Sequence, residues 1–276
     1  MTEQRPLMTL MVALTCEAKP WIDFYRLKKR CARPFALYES DDLQLVISGI
    51  GAISMATAVG WVGGLNERTR IWLNLGTAGH ATRPLGDIFH VHGSAPSVVG
   101  RAHYPPLVAR WLGDSDALLS VDQPSSDYPE GAAVDMEANA FYVAAIRFSN
   151  AELVQSLKVV SDNAEFGFEL LNAEKITQLM QPHVDRVDQY LQALSELVPA
   201  PFVADRFNDL LKIKATYSQQ QQLINLLHKV SVLQLNDFVA EQQLNSDLPI
   251  KTVLSKLTSL VDQASPQLGK PIPRVQ

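Results

Sequence analysis

The chain has 276 residues, 24 Lys plus Arg against 29 Asp plus Glu, a formal net charge of −5, 47% hydrophobic residues and 2 cysteines. That balance excludes a disordered polypeptide, which carries fewer aliphatic side chains and a larger net charge, and a mildly acidic chain is poorly suited to gripping phosphate backbones. No apolar run approaches the roughly 20 residues of a membrane span, and the opening Met-Thr-Glu-Gln-Arg-Pro lacks the basic-then-apolar plan of a signal peptide. The expectation is a soluble, cytoplasmic protein that engages neither nucleic acid nor membrane, with Cys16 and Cys31 as free thiols.

In chain order, aliphatic or β-branched runs at Leu7 to Leu14, Leu43 to Ser48, Ile71 to Leu75, Asp87 to His92 and Leu157 to Ser161 predict buried strands. Helical spacing falls at about residues 17 to 30, 52 to 66 and 136 to 148 between them. This alternation predicts an α/β domain with a largely parallel sheet. Ser48-Gly49-Ile50-Gly51 and Gly76-Thr77-Ala78-Gly79 are expected as glycine turns at strand ends, where a backbone approaches a ligand without Cβ atoms in the way. Trp61, Gly63 and Gly64 allow close packing in the second helix, at a dimer interface or elsewhere.

After Ser161 the pattern turns helical. Ile176, Leu179, Met180, Val184, Val187, Leu191 and Leu194 predict one amphipathic helix, or two meeting at Pro182. Val198-Pro199-Ala200-Pro201 marks a boundary, dividing the chain into residues 1–199 and an all-helical extension, residues 200–276. The extension carries apolar stripes beginning at Phe207, Leu223 and Ile250. Each is too short to stand alone in water, so each is expected to bury against the sheet domain or another subunit. Gln219 to Gln222 is taken as a solvated helix face.

Three carboxylates stand at or just beyond predicted strand ends: Glu17, Glu137 within Val134-Asp135-Met136-Glu137-Ala138, and Asp162 within Ser161-Asp162-Asn163-Ala164. Singly, a Glu at a helix start or an Asp after a strand serves dipole or cap. Together with the glycine segments they form a pattern. The sequence resembles the nucleoside phosphorylase and nucleosidase superfamily, and is most similar to the methylthioadenosine/S-adenosylhomocysteine nucleosidases, over about residues 7 to 195. The resemblance implies a three-layer, mixed-sheet α/β fold flanked by helices, and a homodimer or higher oligomer. It implies no cofactor and no metal.

It also implies roles. Cleaving a nucleoside's glycosidic bond builds positive charge on the ribose and negative charge on the base, so the site needs an acid at the base and anions near the sugar. Asp162 would protonate the purine ring nitrogen, Glu17 would orient or deprotonate the attacking water, and Glu137 would bind the ribose hydroxyls with Met136 against the sugar. Gly51, Thr77, Ala78 and Ser161 would complete the substrate site. Related phosphorylases place an arginine two residues before the glycine of the Gly-Thr or Gly-Ser segment, because a phosphate dianion needs a fixed cation. Asn74 stands there, which favours water as nucleophile, although Lys19 leaves an anion conceivable. Phosphorolysis is the runner-up, and a nucleoside-binding module with a protein-interaction tail is the third reading.

The segment between Gly93 and Gly131 gives no match to the family pattern. Tyr128 and Phe89 are candidates there and nearby for stacking on a base. His90 and His92 share a strand face without a third metal ligand. Arg26, Lys28, Lys29, Arg30 and Arg33 are expected to complement the dipole at the end of the first helix.

Overall fold

The structure is a computed structural model describing residues 7–65, 70–98, 100–198, 207–233, 235, 239 and 244–264. The boundary prolines Pro199 and Pro201, and Asn66 at the expected end of the second helix, lie outside the described residues. The chain divides into two compact units, Met1–Val198 and Pro199–Gln276.

The first unit runs β1 (Leu7–Val12), α1 (Thr15–Phe24), β2 (Lys28–Cys31), β3 (Ala36–Glu39), β4 (Leu43–Ile47), α2 (Ala52–Gly63), β5 (Arg70–Gly79), β6 (Ile88–Pro96), β7 (Ser115–Ser120), β8 (Ala132–Asp135), α3 (Ala138–Ala145), β9 (Val154–Asp162), α4 (Ala173–Met180) and α5 (Val184–Glu196). The sheet order is β2-β3-β4-β1-β5-β8-β7-β6-β9, and β9 also pairs with β5, so the last five strands close on themselves. β1 lies parallel to both β4 and β5, and β5 parallel to β9, whereas β2–β3, β3–β4, β5–β8 and β6–β9 are antiparallel. The sheet is therefore mixed rather than largely parallel.

Alternation along the strands sorts side chains into two layers. On β1, Leu10 and Val12 face one core with Met11 on the other; on β5, Ile71, Leu73 and Leu75 oppose Trp72. The first layer packs under α1, α4 and α5 through Trp21, Met180, Val187 and Leu191, and the second under α2 and α3 through Met55, Val59, Phe141 and Tyr142. Each fully buried large apolar side chain contributes about 1.5–3 kcal/mol. The result is a helix–sheet–helix sandwich whose central strands are buried on both faces.

Several elements differ from the sequence reading. The first helix ends at Phe24; Arg26 adopts φ 51°, and the basic run continues as β2, an outer strand with Lys28, Lys29 and Arg30 exposed. Charge there guards an unpaired sheet edge instead of complementing a helix dipole. Gly76 to Gly79 is no turn: β5 continues through Gly79 because β9 pairs with it along that length. Gly63 makes room for Phe148 of the same chain, whose ring lies 2.7 Å from where a Cβ would stand, so its smallness is used within the chain. The helix pair after Ser161 does meet at Pro182, through a short 3₁₀ turn. No helix among the described residues is long and apolar enough to cross a membrane.

The second unit contains α6 (Asn208–Leu211), α7 (Tyr217–Val232) and α8 (Ile250–Ala264). Its three apolar stripes bury against one another, with Phe207, Leu210, Leu223, Leu227, Val253 and Leu257 in one core. These marginal helices thus supply tertiary packing to each other. Gln219 is more than a solvated residue, since it closes a reciprocal cap with Thr216 at the start of α7.

Candidate active site

The carboxyl ends of β1, β5, β7, β8 and β9 converge on a cavity of about 320 Å³, the place where open α/β sheets bind ligands. Among the described residues its wall includes Glu17, Asp135, Glu137 and Asp162, an apolar side of Leu14, Ile50, Met136, Phe168 and Leu171, and neither Lys nor Arg. A larger depression of about 540 Å³ lies on the helical unit, open to solvent and lined by Gln222, Ser255, Thr258 and Asp262, without comparable convergence of acids.

Glu17 sits in the first turn of α1 and is buried. Its Oε2 accepts from the backbone amides of Ala13 and Leu14 at 3.0 and 2.9 Å, and its Oε1 from the amide and hydroxyl of Thr77 at 2.8 and 2.9 Å. Four donors on one carboxylate match its capacity as an acceptor. Three are fixed amides, and the Thr77 hydroxyl is the one that can turn away to admit another partner.

Glu137 precedes α3. Its Oε1 accepts from the amide of Gly51 at 2.7 Å, an amide aimed by a backbone φ of 95° that glycine adopts without strain. Burial, then the neighbouring charge of Asp135, pushes the Glu137 carboxyl up to about 7, against opposing pulls from Lys158 and the Gly51 amide. Asp135 accepts from Ser120 Oγ at 2.6 Å and from the Ala138 amide at 2.8 Å, capping α3. It also pairs with Lys158 Nζ at 2.8 Å. Lys158 lies in mid-β9, fully buried; burial opposes its charge, but attraction to Asp135, Glu137 and Glu17 prevails and holds the ammonium above its usual range.

Asp162 ends β9. Its Oδ1 accepts from Ser161 Oγ and its Oδ2 from Tyr128 Oη at 2.7 Å. Gly79 is what lets these groups meet, because a Cβ there would stand 2.6 Å from both Asp162 Oδ2 and the Tyr128 ring.

Glu17, Thr77, Ala78, Met136, Glu137, Ser161 and Asp162 therefore share one cavity wall, and Gly51 stands behind it as the donor to Glu137. Other candidates fall elsewhere. Asn74 is buried in the sheet, donating to the Met11 carbonyl and accepting from Ser156, so it does not line the cavity. Lys19 is exposed and paired with Asp23. Phe89 is buried core beneath the Arg83 guanidinium. His90 is engaged by Gln155 and Tyr190, and burial drops its imidazole to about 4, while His92 is exposed beside Ser115. Tyr128 does not line the cavity but touches its edge through a hydrogen bond from its hydroxyl to Asp162. Sequence reasoning missed Asp135 and Lys158. The lysine was the available signal: a cation within a nine-residue strand buried throughout demands an anionic partner.

No family model matches this sequence, and no curated protein matches it. Solved structures do match in three dimensions. A 5′-methylthioadenosine/S-adenosylhomocysteine nucleosidase from Colwellia psychrerythraea, solved with adenine, has 16% identity and a TM-score of 0.55 over 71% of this chain and 97% of that one. A 5′-methylthioadenosine nucleosidase from Arabidopsis thaliana has 15% identity and a TM-score of 0.55 over 69% and 96%, and an MTAN from Chlamydia trachomatis 19% and 0.54 over 69% and 99%. The chain has the nucleosidase fold. Within that fold its cavity occupies the strand ends described above, carrying the acids of β8, β9 and α1.

Proposed function

We propose that the first unit hydrolyses the N-glycosidic bond of a purine nucleoside of the 5′-methylthioadenosine or S-adenosylhomocysteine type, releasing free base. The observation that carries this reading is the convergence of Glu17, Glu137 and Asp162 on one cavity whose wall, among the described residues, holds no Lys or Arg. A phosphate dianion entering there would meet acidic side chains and no cation among the described wall residues, and the nearby ammonium of Lys158 is already engaged by Asp135. An oxocarbenium-like sugar is favoured by the same surroundings, and water brings no charge to repel. The apolar side of Leu14, Ile50, Met136, Phe168 and Leu171 supports an apolar 5′ substituent.

In this reading Asp162 gives its proton to the purine ring nitrogen as the bond from C1′ to the base breaks, and the bonding electron pair leaves with the base. A water held at Glu17, where it displaces only the Thr77 hydroxyl, attacks C1′ and passes a proton to that carboxylate. Glu137, neutral or charged near pH 7, engages the ribose hydroxyls. The protein is cytoplasmic and a homodimer or higher oligomer in the same proposal; exposed Ile50 on the cavity wall is consistent with a covering copy, and sedimentation tests the oligomeric state. The activity test is a panel of purine nucleosides with and without phosphate. Free base and free ribose derivative in phosphate-free buffer are expected, whereas an absolute phosphate requirement with accumulation of ribose 1-phosphate contradicts hydrolysis.

A further inference from the structure

The segment between Gly93 and Gly131 matches nothing in the family pattern, yet it delivers one side chain to the candidate acid. Tyr128 lies on the connection from β7 to β8, between Pro124 and Pro129. Pro124 and Ser125 of that connection line the cavity wall. The Tyr128 ring packs over Gly79 and its hydroxyl donates to Asp162 Oδ2 at 2.7 Å. Burial, then the contact with Asp162, lifts the phenol above its ordinary range, so it remains a donor throughout the working pH range. Ser161 Oγ holds the other carboxyl oxygen.

These two donors have a consequence for proton transfer. A carboxyl that gives its proton to a purine becomes a carboxylate, and hydroxyl donors bind a carboxylate more strongly than the neutral acid. We propose that Tyr128 is a positioning residue for Asp162: its hydroxyl fixes the carboxyl's orientation and stabilises the carboxylate formed as the base departs. The proposal rests on the nucleosidase reading above for what Asp162 does, but the coupling of the two side chains stands on geometry. The proton moves from Asp162 to the base, and Tyr128 keeps its own. Other titratable groups near the pair are Glu169 beside Tyr128, and Glu17, Asp135 and Glu137 on the same cavity. None of them supplies a donor to Asp162 Oδ2 in place of the phenol.

The test uses the full chain and Tyr128→Phe, which removes one oxygen. Turnover of the best nucleoside is expected to fall about 10-fold or more in kcat with a smaller change in KM, as for loss of a hydrogen bond to a charged group. The alkaline limb of the kcat profile should move to higher pH, because an acid whose conjugate base lost a donor keeps its proton longer. A second readout needs no turnover. In protein labelled with ¹³C at aspartate carboxyls, the Asp162 resonance, identified by its loss in Asp162→Asn, should titrate at higher pH in Tyr128→Phe than in wild type. Equal midpoints in the two proteins, or unchanged kcat and limb in an active enzyme, overturn the proposal. A wild type that releases no base from any nucleoside, while the carboxyl midpoint still moves, defeats the nucleosidase reading and leaves the positioning of Asp162 by Tyr128 standing.

Discussion

Substituting Glu137 by Gln isolates the electrostatic cost of the cavity. Gln keeps an acceptor for the Gly51 amide but cannot ionise. In wild type, burial and Asp135 raise the carboxyl from an ordinary 4.5 to about 7. Between those values the unfolded chain releases the proton while the folded chain keeps it, so folding stability falls as pH rises. At 1.36 kcal/mol per pH unit, the span from pH 5 to pH 9 removes about 2 to 3 kcal/mol from wild type through this group. Glu137→Gln escapes that loss. Its stability relative to wild type should therefore grow by about 2 to 3 kcal/mol from pH 5 to pH 9. Urea unfolding followed by tryptophan fluorescence measures it for the first unit specifically, since Trp21, Trp61, Trp72 and Trp111 all lie there and the chain has 4 tryptophans. Histidines titrate equally in both proteins and cancel in the difference. A variant-minus-wild-type difference that is the same at both pH values would refute the reasoning.

Asp162→Asn and Glu17→Gln should each lower kcat by about 10² or more while tryptophan-detected unfolding keeps a cooperative transition, and near-normal turnover in either rejects its role. Lys158→Met leaves Asp135 buried without its ion pair and should cost about 3–5 kcal/mol in the same urea assay, a loss under 1 kcal/mol showing that the pair is not desolvated. A chain ending at Val198 should still bind nucleoside by calorimetry, because the helical unit has its own core; a folded but non-binding truncation would place the helical unit in the site.

Leu7–Val12 was legible because burial on both faces leaves a nearly continuous apolar run, whereas only Leu157 to Ser161 of β9 was read, since Gln155, Ser156 and Lys158 are buried polar residues whose partners lie on other elements. Lys28–Cys31 was not, since an edge strand is charged for the same reason that it resembles a helix end. β7 and β8 were missed because Ser115–Ser120 and Ala132–Asp135 are short, and their pairing with distant strands is a tertiary choice. Gly76 to Gly79 misled because glycine signals close approach as well as turning, and here the approach is by Glu17, Asp162 and Tyr128 to a continuous strand. The three carboxylates were visible from strand-end position and from the ordered motifs. Their hydrogen-bond partners were not, because Glu17 to Thr77 and Gly51 to Glu137 join residues 60 and 86 apart in sequence. Asn74 fitted the expected position, but its side chain points into the sheet, so it is the acidic, cation-free character of the described cavity wall that favours water.

The most direct measurement of the central claim is turnover of 5′-methylthioadenosine in phosphate-free ¹⁸O-water, with the products read by mass spectrometry. The account predicts unlabelled adenine and one ¹⁸O on the anomeric carbon of the released sugar, lost together with activity in Asp162→Asn. Intact nucleoside after prolonged incubation, here and across the nucleoside panel, would contradict it, as would cleavage that starts only when phosphate is added.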